Sequence, residues 1–211
     1  TNERPPRQVR YTITQEAMQE ALSSQTRILT VRIDRGMGDG PGEFKTYQVP
    51  WRDNQTILDV VTEIQRTQDP TLSYRFACRV GVCGSCAMNV NGKPRWTCRT
   101  HVSVVAQDGH ITLEPLANMP RIKDLVVSMT EFFNKWKKAG NTFVGTATRH
   151  DAPAAISPDS KKRKMANAAI ECINCGVCYA ACDVVSWNKN YLGPAALNRA
   201  WTLYNDCLLY T

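Results

Sequence analysis

The chain has very few histidines: His101, His110 and His150 are its complete set, and they are scattered. Nothing around them spaces into a nucleophile triad or an acid–base pair, so a self-contained substrate site is not expected. No apolar run approaches the ~20 residues that cross a bilayer, which leaves only a peripheral membrane role. The run Gly36-Met37-Gly38-Asp39-Gly40-Pro41-Gly42 lacks a following helix to receive a phosphate, so a nucleotide loop is excluded. Nucleic-acid motifs are missing too. The net charge of +7 is spread along the chain and suits an acidic partner surface, not nucleic acid. An initial methionine is also lacking: the chain begins at Thr1, as after removal of a targeting peptide or after trimming. At 211 residues, with 43% hydrophobic and 21% charged, it reads as one large globular domain or two small ones.

What the chain does have is cysteine, nine in all, of which eight fall into two groups. Cys78, Cys83 and Cys86 lie on one short stretch, and Cys98 follows with the spacing Cys-x4-Cys-x2-Cys-x11-Cys. That spacing fits the plant-type pattern in which four thiolates hold a 2Fe–2S cluster. Three thiolates on one tight loop wrap a small cluster, and a fourth arriving from a neighbouring strand closes it. Gly81 and Gly84 let the loop turn and let backbone N–H groups approach sulfur. A structural zinc site and a disulfide framework are the alternatives. Zinc favours well-separated Cys-x2-Cys pairs, and crowded cysteines pair poorly with one another.

Residues 1–26 read as a polar extension in which Thr12 to Ser24 has the pattern of a short helix. Arg27–Ile33 and Phe44–Val49 alternate like paired strands across the glycine-rich loop. Thr56–Gln68 carries Ile57, Val60, Val61 and Ile64 at helical spacing, and Asp69-Pro70 ends it. Ala87–Val90 and Arg95–Cys98 flank the hairpin turn Asn91-Gly92, and His110–Glu114 gives a further strand. An α+β domain over 27–120 follows, with one helix across a sheet. Residues 121–211 read as a helical domain. Its first helix is expected over 124–139, with Asp124 as N-cap and Gly140 as stop; a second is expected to start at Ser157-Pro158. Lys161-Lys162-Arg163-Lys164 reads as a solvated helix face or a patch for an acidic partner.

Cys172, Cys175, Cys178 and Cys182 have the spacing Cys-x2-Cys-x2-Cys-x3-Cys of bacterial-type ferredoxins. There the first three bind one four-iron cluster and the fourth, one helical turn on, ligates another. Zinc is again the alternative.

With both runs on one chain, the sequence resembles the iron–sulfur subunit of succinate dehydrogenase and fumarate reductase. The resemblance spans most of 27–206. It is carried by Leu72-Ser73-Tyr74-Arg75, Cys78–Cys86, Leu116-Ala117-Asn118, Asp124-Leu125-Val126-Val127, Cys172–Cys182 and Leu192-Gly193-Pro194-Ala195-Ala196. It implies a β-grasp plant-type ferredoxin domain followed by a helical bacterial-type ferredoxin domain, here incomplete. It also implies a 2Fe–2S cluster on Cys78, Cys83, Cys86 and Cys98, and a 4Fe–4S cluster on Cys172, Cys175 and Cys178. A 3Fe–4S cluster would take Cys182, and Trp187 would line a quinone pocket; a packed core aromatic is the other reading of Trp187. The implied partners are an FAD-containing flavoprotein subunit and membrane-anchor subunits. The implied role is to relay single electrons between the flavoprotein and quinone.

One thiolate for each iron of the second and third clusters exceeds what Cys172, Cys175, Cys178, Cys182 and Cys207 can offer. Cys207 stands where the family usually has serine and reads as a buried thiol. A split subunit, with a second iron–sulfur polypeptide bringing the missing cysteines, is the expectation; a truncated record and a reduced cluster set are the alternatives. Asp183-Val184 departs from the family's usual Pro-Ser, placing a carboxylate near the quinone. Succinate oxidation is the expected direction, with fumarate reduction or a free-standing soluble ferredoxin as alternatives; plant-type ferredoxins are usually acidic. The matrix side of the mitochondrial inner membrane is the expected location, or the cytoplasmic face of a bacterial membrane.

Overall fold

The computed structural model describes residues 27–140, 150–152 and 155–206. The helix expected over Thr12–Ser24 and the thiol of Cys207 lie outside the described residues.

Alternating residues build the first hairpin. Strand β1 (Ile28–Arg35) buries Leu29, Val31 and Ile33 and pairs antiparallel with β2 (Glu43–Pro50). Helix α1 (Ile57–Thr67) starts at a reciprocal cap: Asp59 N donates to Thr56 Oγ1 at 3.2 Å, and Thr56 N donates to the Asp59 carboxylate at 3.0 Å. Its residues Ile57, Val60, Val61 and Ile64 are completely buried with the sheet residues, each burial worth about 1.5–3 kcal/mol. Strands β3 (Ala87–Val90) and β4 (Lys93–Trp96) turn at Asn91-Gly92, where both residues are left-handed. After the short helix α2 (Val102–Val105), β5 (His110–Glu114) enters parallel to β1. The sheet order is β2-β1-β5-β3-β4, a mixed α+β sheet crossed by one helix.

Three local expectations are corrected. Cys98 is not on a strand: the chain leaves the sheet after Trp96 and Cys98 sits in the 3₁₀ turn Thr97–Arg99. The Thr97 hydroxyl ties that turn to Cys86 by donating to its carbonyl at 2.8 Å. Asp124 does not cap a helix either. It takes φ 48 at the corner between strands β6 (Arg121–Lys123) and β7 (Val126–Val127), and helix α3 (Thr130–Lys138) begins later. Leu125 therefore joins the core of the sheet, while Phe132 packs among the helices. Gly140, at φ 83, follows α3 as expected. Finally, helix α4 (Lys161–Ile170) starts at Ser160, whose Oγ accepts from Arg163 N at 3.3 Å; Ser157 instead opens the turn before it. Lys161, Lys162, Arg163 and Lys164 are all exposed. Short helices α5 (Val177–Ala180) and α6 (Asp183–Trp187) precede α7 (Pro194–Tyr204), which packs on α3 and α4.

An ion-pair network with buried carboxylates and an exposed lysine joins these parts. Arg35 pairs with Asp69 at 2.7 Å and with Asp124 at 2.9 Å, and Lys45 reaches Asp69 at 2.7 Å. Tyr47 donates to Asp69 at 2.7 Å, and Asp124 accepts from Gly36 N and Ser73 N at 3.1 and 2.9 Å. Burial works against the Arg35 charge, yet hydrogen bonds to Asp124, Asp69 and Tyr47 outweigh it and raise its pKa. Hydrogen bonds from Lys45, then Thr71 and Tyr47, hold the Asp69 carboxyl well below its ordinary value of 3.8.

Removing Arg35 takes the only cation from Asp124 that the described residues show and one of two from Asp69. Arg35→Met is expected to cost about 3–5 kcal/mol, measured by chemical denaturation beside the wild type. Because the folded pKa of Asp69 is depressed, its contribution is complete above the unfolded value. It is lost as pH falls below about 4. Asp69→Asn should flatten the stability profile in that acid range; an unchanged profile would contradict the assignment.

Candidate metal centres

The loop between α1 and β3 carries Cys78, Cys83 and Cys86, and it is shaped by backbone, not by regular structure. Arg79, Gly81 and Gly84 have φ of 60°, 77° and 68°. This curl aims the N–H groups of Val80 and Val82 at Cys78 Sγ, both at 3.4 Å. Cys83 is exposed, and its Sγ lies 3.0 Å from the Ser85 hydroxyl. That hydroxyl, and then the backbone at Cys78 and Ser85, pull the Cys83 thiol down to about 6, a thiolate at neutral pH. Cys86 and Cys98 are buried against Leu58 of α1, flanked by Tyr74 and Trp96. Burial first, and then the neighbouring Cys86 thiol, push Cys98 up to about 11.

The second run lies between α4 and α6. Asn174 and Gly176, at φ 54° and 77°, turn the chain so that Cys172, Cys175 and Cys178 line one open cavity of about 450 Å³. Trp96 and Pro194 line it too. Cys182 does not line that cavity; it packs with Phe132, Tyr179 and Tyr191. The two loops touch. A Cβ on Gly84 would fall inside contact with the Cys175 side chain and only 2.8 Å from its Cα.

Among the described residues, no group of three or more His, Cys, Asp and Glu is arranged to hold a single metal ion. What fits a polynuclear cluster is the donor chemistry: thiols in two groups, amides turned toward sulfur, and a low thiol pKa at Cys83. Trp96 adds to this, since its buried indole N–H has no partner and the residue stands between the two cysteine groups. An acceptor-rich cluster beside it would satisfy that donor.

Trp187 is not a packed core aromatic: it is 80% exposed at the end of α6, with Val184 also exposed. His101, His110 and His150 are all exposed and belong to neither cysteine group. Several site residues escaped the sequence reading. Ser85 and Trp96 carry no spacing signal. Asn118 stood inside a recognised motif, but its role depends on residues far along the chain.

A β-grasp sheet with a three-cysteine loop and a fourth cysteine on a nearby 3₁₀ turn, abutting a helical segment with four more cysteines, defines an iron–sulfur protein of the ferredoxin class. Residues 28–134 match the family model of the 2Fe-2S iron-sulfur cluster binding domain. The fumarate reductase iron-sulfur subunit of Haemophilus influenzae is 38% identical over 77% of this chain and 66% of its own length. The mitochondrial succinate dehydrogenase [ubiquinone] iron-sulfur subunit 1 of Oryza sativa subsp. japonica is 38% identical over 81% of this chain and 62% of its own. A chain of the Mycobacterium smegmatis Sdh1 complex in the apo form superposes with a TM-score of 0.70 at 30% identity, covering 81% of this chain and 71% of that one. This chain belongs to the succinate dehydrogenase and fumarate reductase iron–sulfur subunit family. It spans roughly two thirds of the length of the curated relatives it matches.

The Gly84 contact generates a direct test. Gly84→Ala meets a left-handed backbone penalty of about 1–2 kcal/mol and a clash with Cys175. Gly92→Ala, at φ 73° with open space around it, meets the backbone penalty alone. Gly84→Ala should therefore retain less iron and sulfide per chain than Gly92→Ala, read by elemental analysis; equal retention would refute the contact's importance.

Proposed function

We propose that this chain is the electron-relay subunit of a succinate:quinone oxidoreductase, with fumarate reduction as the reverse use of the same relay. The observation that carries the reading is the contact between the two cysteine loops at Gly84 and Cys175. Two cysteine loops in van der Waals contact would hold two one-electron sites near enough to act as a relay, whereas a lone soluble carrier needs only the first. The proposed ligands are Cys78, Cys83, Cys86 and Cys98 for a 2Fe–2S cluster. Cys172, Cys175 and Cys178 serve a 4Fe–4S cluster and Cys182 a 3Fe–4S cluster. Iron–sulfur clusters supply one-electron carriage when bound.

The chain's own residues hold thiolates, turn amides toward them and keep Cys86 and Cys98 from solvent. Succinate oxidation to fumarate releases two electrons and two protons, and both electrons end on a quinone that takes up two protons. The first belongs to an FAD-containing flavoprotein partner, and the second to a site shared with membrane-anchor subunits. The ligands that the second and third clusters still lack come from polypeptide beyond these 211 residues, a second chain in the split-subunit reading. The sheet domain and the helical domain divide at 120/121, and the β6–β7 hairpin is the joint between them.

Among the described residues no helix is long and apolar enough to cross a membrane. Peripheral attachment on the matrix side of the mitochondrial inner membrane, or the cytoplasmic face of a bacterial one, fits that. Exposed Trp187, at the far end of the short helix α6 that Cys182 caps, suits a quinone pocket completed by the anchor.

Low-temperature electron paramagnetic resonance with iron counting, on the chain alone and on its native complex, tests the relay. The chain alone should show a reduced 2Fe–2S signal, and the complex should add an oxidised 3Fe–4S signal. A second cluster on the isolated chain would sink the shared-ligand assignment. In the complex, Trp187→Ala should lower quinone reduction severalfold while leaving succinate-dependent reduction of an artificial one-electron acceptor unchanged. Equal loss of both activities would remove Trp187 from the quinone site.

A further inference from the structure

Between β5 and β6 the chain crosses the second cysteine run as a strap. Leu116 packs on Ala180 together with Ala87 and Val127, and Met119 packs in the same group and also in the group around Tyr179. At the centre of the strap is Asn118, left-handed at φ 63°. Its side-chain amide donates to three carbonyls, those of Tyr179 at 3.1 Å, Ala180 at 3.3 Å and Cys182 at 3.2 Å. These carbonyls lie where α5 ends and α6 begins, a junction whose terminal groups have no full set of helical partners. Cys182 is the second residue past α5, after Ala181, and caps α6 without a side-chain capping hydrogen bond. One amide from the sheet side of the molecule thus gathers the backbone on both sides of the turn that presents the Cys182 thiol.

We infer that Asn118 is the positioning residue for the cluster held through Cys182: its amide fixes that backbone and so sets the cluster's retention and potential. The inference rests on the proposed assignment of Cys182 as a ligand. Three carbonyl oxygens within reach of one NH₂ demand a donor and exclude an acceptor. Asn118→Asp keeps the size and the tolerance of left-handed backbone but places a carboxylate against three carbonyl oxygens. Asn118→Gly accepts the same φ without strain and removes the donors with no new charge.

The test uses the native complex carrying each variant, with the 2Fe–2S signal as internal reference. Both variants should release the Cys182-bound cluster to a ferrous-iron chelator about tenfold faster than wild type, equivalent to about 1.4 kcal/mol. The 2Fe–2S signal should persist unchanged, and before release Asn118→Asp should also lower the midpoint potential of the cluster bound through Cys182. Wild-type release from either variant overturns the inference. So does loss of the 2Fe–2S signal at the same accelerated rate, which would mean general unfolding. Cys182→Ser separates the two claims. If it leaves every cluster signal unaltered, the ligand assignment fails and the inference falls with it. If it abolishes one signal while the Asn118 variants behave as wild type, only the role of Asn118 is lost.

Discussion

Everything proposed for this chain depends on two loops being allowed to touch. Gly84, on the first cysteine loop, lies against the backbone and side chain of Cys175 on the second, and no Cβ fits between them. Electron exchange between sites falls steeply with separation, so under the proposed relay the missing side chain at Gly84 would serve function as well as packing. The left-handed backbone at Gly84 and the close approach to Cys175 both select glycine, for independent reasons.

That contact would not hold without supports on either side. On the sheet side, Arg35 draws in Asp69 from the end of α1 and Asp124 from the hairpin that follows the sheet. Asp124 in turn holds Ser73 N, at the start of the segment that runs into Cys78. On the helical side, the strap around Asn118 clasps the turn after α5. The hairpin and the strap are consecutive in sequence, so a single stretch from Leu116 to Val127 braces both cysteine loops. The hairpin packs on the sheet side instead of continuing the helical pattern, burying Leu125 in the sheet core while Asp124 accepts from Gly36 N and Ser73 N and pairs with Arg35.

The cysteine groups were legible in the sequence because ligand spacing is a local, covalent property. Helix α1 was legible too, since Ile57, Val60, Val61 and Ile64 mark one face of a 3.6-residue period. Asp124 was not. Aspartate serves equally as a helix cap and as a left-handed corner, and what decides is Gly36 and Arg35, some 88 residues away. Ser157 and Ser160 both precede a helical pattern, and the turn that Ser157 closes with Ser160 N settled the choice. The residues before Cys98 alternate and predict a strand that reaches it, but the sheet ends two residues earlier, at Trp96, where the Thr97 hydroxyl bond to Cys86 ties the following 3₁₀ turn. Trp187 has two readings from sequence, a quinone-pocket residue by resemblance and a packed core aromatic, and its outward position in the fold removes the second.

The two halves of the first cage are not equivalent, and the asymmetry has a consequence for charge. Cys86 and Cys98 lie behind α1, where burial disfavours added negative charge and pushes the Cys98 thiol up. Cys78 and Cys83 lie toward solvent, where the amides of Val80 and Val82 and the Ser85 hydroxyl oppose negative charge on sulfur with positive dipole ends. Under the proposed ligand set, the amides and the hydroxyl on the Cys78–Cys83 side would favour added negative charge there over the buried Cys86–Cys98 side. That same outer side includes the Cys83-Gly84-Ser85 turn, which leads directly to Cys175. The sequence Cys83-Gly84-Ser85 therefore does three things in adjacent residues. Cys83 supplies a low-pKa thiolate, Gly84 removes the obstacle to the next site, and Ser85 lowers the thiol's pKa with its hydroxyl. Electrostatic preference and physical proximity point the same way, out of the sheet and toward the second cysteine loop.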